Sequence, residues 1–371
     1  MEATWQWYNY ILSNVPAGRI PLRINLGETA ISLYQGGREG NVFVLPRAPP
    51  VEHVSLGTRR KYVTHIAVIC DAPHIQPLQE QVLVCNERTI PLKVYAALRA
   101  SMPANVRLVR QKSAWNNIEL FVETIRRLGA ILAPFAATYT PIYSFDTAKI
   151  HIASRVFNAC RRAGMLPHLV AAKMTWALQP FDIRAIRPYR VQIQKEYQRC
   201  KLRAANSDVG IKEWLACVCA AIRVVLQRRC WAAAFDSAGL SLNQINVSDD
   251  IKVQLGIATL LAISQAQPST EQLRQCFPQK AKVPTNAVWQ ACELLIKAPV
   301  APRSMVAKPK ALSPLPCVAV GIPLGRLRPP PPAPLTRRSA RIAAKAKPMH
   351  VAGAAPSGSA AKSGCMRPPF R

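Results

Sequence analysis

Two aspartates with thirty-five residues between them, Asp146 and Asp182, each close an apolar run. Pro141-Ile142-Tyr143-Ser144-Phe145 precedes the first, and Thr175-Trp176-Ala177-Leu178-Gln179-Pro180-Phe181 precedes the second. Carboxylates delivered from separate elements suit hard divalent cations such as Mg²⁺ or Mn²⁺, and a pair of such ions can serve phosphoryl transfer. That chemistry calls for a further carboxylate, and the matching third one is missing.

The surrounding pattern shows which elements must position these residues. Leu22-Arg23-Ile24-Asn25-Leu26 alternates apolar and polar at the period of a half-buried strand. Ala30–Tyr34, Val42–Leu45, Tyr62–Cys70, Gln81–Cys85, Ile142–Phe145 and His168–Ala172 are further strand candidates. Asn116 opens a helix whose Ile118, Phe121, Val122, Ile125, Leu128 and Leu132 share one face, with Pro134 ending it. Residues 152–163 form a second helix, stopped by Gly164. Helices dominate beyond Arg184, over roughly 187–203, 210–230, 249–265 and 285–297. Leading strands followed by alternating helix and strand predict an α/β fold with one mixed sheet flanked by helices. An RNase-H-like fold has that order, as do other α/β folds.

The charge points to the partner. The chain carries 49 Lys+Arg against 19 Asp+Glu, a formal charge of +30. A field of that size favours nucleic acid or another polyanion. The 11 cysteines are dispersed, and the Cys217-x-Cys219 pair on an apolar, helical run matches neither a zinc knuckle nor a disulfide framework. They fit a reducing compartment. No signal peptide and no membrane span are expected. The last 71 residues hold 13 Lys/Arg, no Asp or Glu, and 14 of the 32 prolines. That composition predicts a disordered tail over 301–371. Its cluster Arg337, Arg338, Arg341 reads as a nuclear-localisation signal or a DNA-clamping arm. The aromatic-rich residues 1–20 read as a short helical lead-in, 21–245 as the main domain and 246–300 as a helical extension.

Several phrases together resemble the DDE superfamily of transposase endonucleases, in its pogo and mariner branch. Asn25-Leu26-Gly27-Glu28-Thr29 is similar to that family's N-x-D-E-T motif, and Asp146-Thr147-Ala148-Lys149-Ile150-His151 to its D-x-A-x-x-H motif. Thr175-Trp176-Ala177-Leu178-Gln179-Pro180-Phe181-Asp182 is similar to T-x-x-x-Q-P-[LM]-D, and Trp231–Leu240 to W-x-x-A-F-x-x-x-G-[IL]. Arg110–Asn116 sits where the family has the loop leading into its first core helix. The resemblance implies an RNase-H-like sheet with three carboxylates and two metal ions cleaving phosphodiesters. It makes Asp146 and Asp182 metal ligands, places His151 beside the site or on the DNA backbone, and puts Lys149, Lys173 and Arg184 on phosphates. The implied setting is DNA in the nucleus, bound by a single chain or a homodimer.

The departures fall at the most consequential place. The first motif's aspartate aligns with Gly27, which offers no ligand. Glu28 is adjacent, but strand alternation points it away from Asp146 unless a bulge intervenes. Asp71 ends the second strand, at the opposite end of the sheet. Phe181 replaces a smaller residue, and Ala171 stands where the family often has proline. Only about 20 residues precede the first motif, too few for a helix-turn-helix module, so the chain reads as truncated or diverged. Trp176 reads as core. Asp146 and Asp182 taken singly read as helix caps. The expected function is a transposon-derived DNA-binding protein, weak or dead as a nuclease. The alternatives are an active enzyme completed by Glu28 and a non-enzymatic nucleic-acid or chromatin binder relying on its basic tail.

Overall fold

The computed structural model describes residues 2–33, 62–203, 209–242, 249–256, 263–277 and 286–290. The Val42–Leu45 strand candidate and the cluster Arg337, Arg338, Arg341 lie outside them.

The sheet is built on one long strand. β1 runs from Ile20 to Ser32, so the two strands expected over Leu22–Leu26 and Ala30–Tyr34 are one, continuous through Gly27. Its register against β2 (Tyr62–Cys70) is unbroken from Ile24↔Cys70 to Ser32↔Tyr62, with no bulge. β3 (Gln81–Asn86), β4 (Val106–Gln111), β5 (Tyr139–Asp146) and β6 (Leu166–Val170) complete a six-stranded mixed sheet in the order β4-β3-β2-β1-β5-β6. Only β2 runs against the others. The α/β mixed-sheet expectation therefore holds, with β4 as an additional edge strand parallel to β3.

Among the elements that escaped the sequence pattern are β4 and α2 (Leu92–Ala100), the helix that crosses over from β3 to it. β4 reads Val-Arg-Leu-Val-Arg-Gln, and its arginines mask its alternation. They are tied down rather than solvated: Arg107 pairs with the buried carboxylate of Glu80 at 2.9 Å, and Arg110 donates to the Ile90 carbonyl. β6 is shifted two residues earlier than expected. It is buried along its whole length, so no alternation marks its limits.

α3 (Ile118–Leu132) starts one residue later than predicted. Asn117 is its cap, accepting from the Leu120 amide at 2.8 Å, which frees Asn116 for another role. α4 (Ser154–Arg162) leads into β6 through Gly164, whose φ of +70° only glycine adopts without strain. α5 (Thr175–Leu178) and a π-helical turn, Phe181–Ala185, lead into α6 (Ile186–Arg203). α7 (Ile211–Ala221) carries Cys217 and Cys219, both buried, and α8 (Ala232–Ser237) follows. Among the described residues no helix is long and apolar enough to cross a membrane.

The aromatic N-terminal segment forms α1 (Glu2–Ser13) and belongs to the core. Trp7 is fully buried and donates its indole N–H to the Pro167 carbonyl on β6 at 3.0 Å. Trp5 and Tyr8 donate to the Ala238 and Leu240 carbonyls. At the amino end of β1, Arg23 is buried between Asp71 and Asp236, each at 2.6 Å, with its guanidinium over the Phe235 ring. Asp71 thus lies at the end of the sheet opposite Asp146, as strand direction required, and is paired. A buried guanidinium is tolerated because both carboxylates and the Leu240 carbonyl satisfy it.

Two buried histidines give the fold a pH dependence. His168 faces the Ser144 hydroxyl at 2.9 Å and donates Nε2–H to the Thr4 carbonyl at 3.2 Å, which fixes its neutral tautomer. Burial pushes its pKa down to about 4, and that of His65 down to about 3. Unfolding frees both to take up protons near the ordinary histidine value. Their contribution to stability is therefore complete above that value and is lost as pH falls toward the folded pKa, at about 1.4 kcal/mol per pH unit for each. Urea unfolding midpoints should fall from pH 6.5 to 4.5, and His168→Gln should flatten that fall; an unchanged slope in the variant refutes the assignment.

Candidate carboxylate site

The carboxyl ends of β1, β3, β4, β5 and β6 share one edge of the sheet, the edge where open α/β sheets place ligands. Asp146 is the last residue of β5. Its Oδ1 accepts the Ala148 amide at 3.0 Å, an Asx turn, and does not cap α4, whose N-cap is Ala153. The turn folds His151 back under the strand end. His151 Nδ1 lies 2.5 Å from Asp146 Oδ1, and Nε2 lies 2.9 Å from Glu28 Oε1.

Glu28 is thus joined to Asp146 through an imidazole, which corrects the expectation that it points away. The alternation behind that expectation is intact, and β1 has no bulge. What differs is that the β1–β5 ladder stops at Asn25↔Ser144. Beyond it β1 pairs with no strand on that side among the described residues, and the chain after Asp146 sets His151 between the two carboxylates. Asn116 donates to the same Glu28 oxygen at 2.5 Å. No sequence signal marked Asn116 for this.

The electrostatics follow from these contacts. Burial opposes the charge on His151, but the Asp146 and Glu28 carboxylates outweigh it and raise the imidazole to about 9. Burial also opposes ionisation of Asp146; the His151 hydrogen bond and charge and the Ala148 amide prevail and hold it below the usual range. Asp182 behaves differently. Burial raises it to about 6, with the Thr175 side chain lowering it, the nearby Asp146 charge raising it and Arg190 lowering it. The Asp146 charge is thus one of the influences that reach Asp182.

On the other face of β1, Gly27 meets Phe181. A Cβ built on Gly27 would lie 2.2 Å from Phe181 Cδ1 and 2.5 Å from Cγ. The ring is fully buried. Its position is fixed by stitches to β1: the Phe181 amide donates to Asn25 Oδ1 at 2.9 Å, and Gln179 Nε2 to the Leu26 carbonyl at 3.0 Å. Gly27 and Phe181 are therefore one packing feature: the large ring occupies the room that a side chain at position 27 would need.

The remaining expected residues are placed as follows. Lys149 and Lys173 are exposed and have no ion-pair partner among the described residues. Lys173 adopts φ +64°, a left-handed conformation uncommon outside glycine, in the turn between β6 and α5. Arg184 is exposed and donates to Ser237 Oγ at 3.1 Å. Trp176 is 44% exposed, which corrects its reading as core; its neighbours Ala177 and Leu178 supply the buried face of α5.

The residues do not fit the two-metal arrangement. Among the described residues no three His, Cys, Asp or Glu side chains are disposed to hold one ion. Asp146 Oδ1 is taken by two donors, and Phe181 fills the space that a side chain at position 27 would need.

No family model matches the chain, and no curated protein matches it. Two solved structures resemble it: the Mos1 mariner paired-end complex with Mn, and the Mos1 transposase paired-end complex with the left transposon end. Identity is 12% in both, with TM-scores of 0.33 and 0.32. The matches cover 63% and 65% of this chain but 62% and 63% of the Mos1 chains, so this chain spans less than two thirds of them. At that distance they carry no argument about the site.

Gly27→Ala should lower unfolding stability by about 1–3 kcal/mol, because an added methyl overpacks against the ring. In a double-mutant cycle with Phe181→Leu, measured by urea unfolding, the two costs should be strongly non-additive; additive costs would dissociate the pair.

Proposed function

We propose that this chain is a DNA-binding protein of transposase descent, acting in the nucleus, whose phosphodiester cleavage has been lost while its cationic surface is retained. The observation that carries the reading is the charge of the element following Asp182. α6 presents six Lys/Arg against one acidic residue over 18 residues. Helix propensity does not require that imbalance, and like charges along one helix cost stability unless a polyanion offsets them. Lys149, Lys173 and Arg184 stand near the same edge, on the segments that hold Asp146 and Asp182, and would meet phosphates there.

Residues 1–300 alone retain 36 Lys/Arg against 19 Asp/Glu, so the chain ahead of the tail is itself basic. The competing reading places affinity in the tail and treats the protein as a non-enzymatic nucleic-acid or chromatin binder. It is favoured by the 13 Lys/Arg without one acid over residues 301–371. Loss of cleavage is supported by Gly27 and by the engagement of Asp146 and Glu28 with His151.

Binding of a duplex oligonucleotide, followed by fluorescence anisotropy across salt concentrations, tests the proposal. Log K should fall linearly with log salt. The triple variant Lys149→Ala/Lys173→Ala/Arg184→Ala should reduce the slope by about 0.9 for each phosphate that is no longer neutralised. Chains ending at residue 300 should keep measurable affinity. Complete loss on removing 301–371, with no effect of the triple variant, would move the function to the tail. Plasmid incubated with Mg²⁺ or Mn²⁺ should stay intact, and nicking abolished by Asp146→Ala would restore the enzyme reading.

A further inference from the structure

We propose that this chain's own side chains fill the places that divalent ions would take at the carboxyl ends of β1 and β5: the His151 ring, bonded to Glu28 and Asp146 on one face of β1, and the Phe181 ring on the other.

The two obstacles are independent, because neighbouring residues of a strand face opposite sides. On the Glu28 side, both ring nitrogens of His151 face carboxylate oxygens, at 2.5 Å and 2.9 Å. Each nitrogen is thus engaged by a carboxylate, and the ring links Glu28 to Asp146. The ring is 2% exposed. It lies over Phe121 with centroids 4.2 Å apart and meets the Phe145 edge at 6.0 Å. The packing leaves the imidazole no room to swing away. Asn116 holds Glu28 from the other side. A metal ion here would have to displace a buried, doubly bonded ring.

On the Gly27 side the obstacle is steric. The Phe181 ring lies where any side chain at residue 27 must begin, and its backbone is tied to Asn25. A carboxylate restored at position 27 therefore has no room until residue 181 shrinks. Divalent ions are neither needed to hold these carboxylates together nor able to enter among them.

The inference concerns the site treated above and rests on Asp146 and Asp182 as the ligands of the ancestral chemistry. Its test uses no nucleic acid, so it can fail while DNA binding stands, and the reverse. Binding of Mn²⁺ to the full chain is followed by the electron paramagnetic resonance signal of free Mn²⁺. The unsubstituted chain should remove no more Mn²⁺ than its Asp146→Ala variant. Gly27→Asp alone should lose thermal stability and gain no binding. Gly27→Asp/Phe181→Leu should recover stability yet still gain no Mn²⁺ binding while His151 remains, and adding His151→Ala should give Mn²⁺ binding that disappears with Asp146→Ala. Imidazole ¹⁵N resonances of His151 in the unsubstituted chain should be unmoved by millimolar Mg²⁺. Asp146-dependent Mn²⁺ binding by the unsubstituted chain, or His151 signals that shift with Mg²⁺, would overturn the proposal. If the substituted chains do not fold, these two measurements on the unsubstituted chain decide it.

Discussion

The carboxyl edge of this sheet depends on how two like charges are kept together inside a folded chain. Glu28 and Asp146 come from different strands, and each is partly withdrawn from water. Two ionised carboxylates in such a place repel each other unless a cation stands between them. His151 is that cation, and its seat depends on several elements at once. β5 must stop at Asp146, the next five residues must turn back, and the β4–α3 loop must offer Asn116 rather than spend it on capping the helix. Phe121 on α3 then provides the floor of the seat. The register of β1, the length of β5 and the start of α3 thus converge on one ring.

Much of this frame was legible in the sequence. Tyr62–Cys70 is rich in β-branched residues and appears as a strand with those limits. The apolar face of α3 set that helix to within a residue. The opposition of Asp71 to Asp146 followed from strand direction alone. Other parts were hidden for physical reasons. β4 carries two arginines whose partners lie far along the chain, so its pattern looks solvated when it is not. β6 is buried on both faces and has no period to read. Trp176 lies in a run of apolar neighbours, and only the three-dimensional course of α5 decides which of them faces out.

The site itself was half legible. Asp146, Asp182 and His151 could be singled out from residue types and order, and the chain does gather them at one edge. The relation of Gly27 to Phe181 was present as two separate oddities, one residue too small and one too large. Nothing in a linear reading says that they touch across so long a stretch of chain. Volume complementarity between distant departures from a pattern is a signal that could have been sought, since packed interiors leave few voids. The position of Glu28 required knowing where the β1–β5 ladder ends, which depends on the turn after Asp146 rather than on either strand.

The placement of α1 has a consequence for how the chain is made. Its first aromatic turns leave the ribosome early, yet the carbonyls and side chains they bond lie much later. Pro167 is 160 positions downstream of Trp7, Leu240 is 232 positions from Tyr8, and Cys276 is 272 positions from Thr4. Until those segments emerge, Trp5, Trp7, Tyr8 and Ile11 have nowhere to bury their surface. The nascent chain must carry an unpartnered aromatic helix until those downstream segments are made, so this part of the fold cannot close vectorially. The residues of α1 are made well before the partners that fix their place.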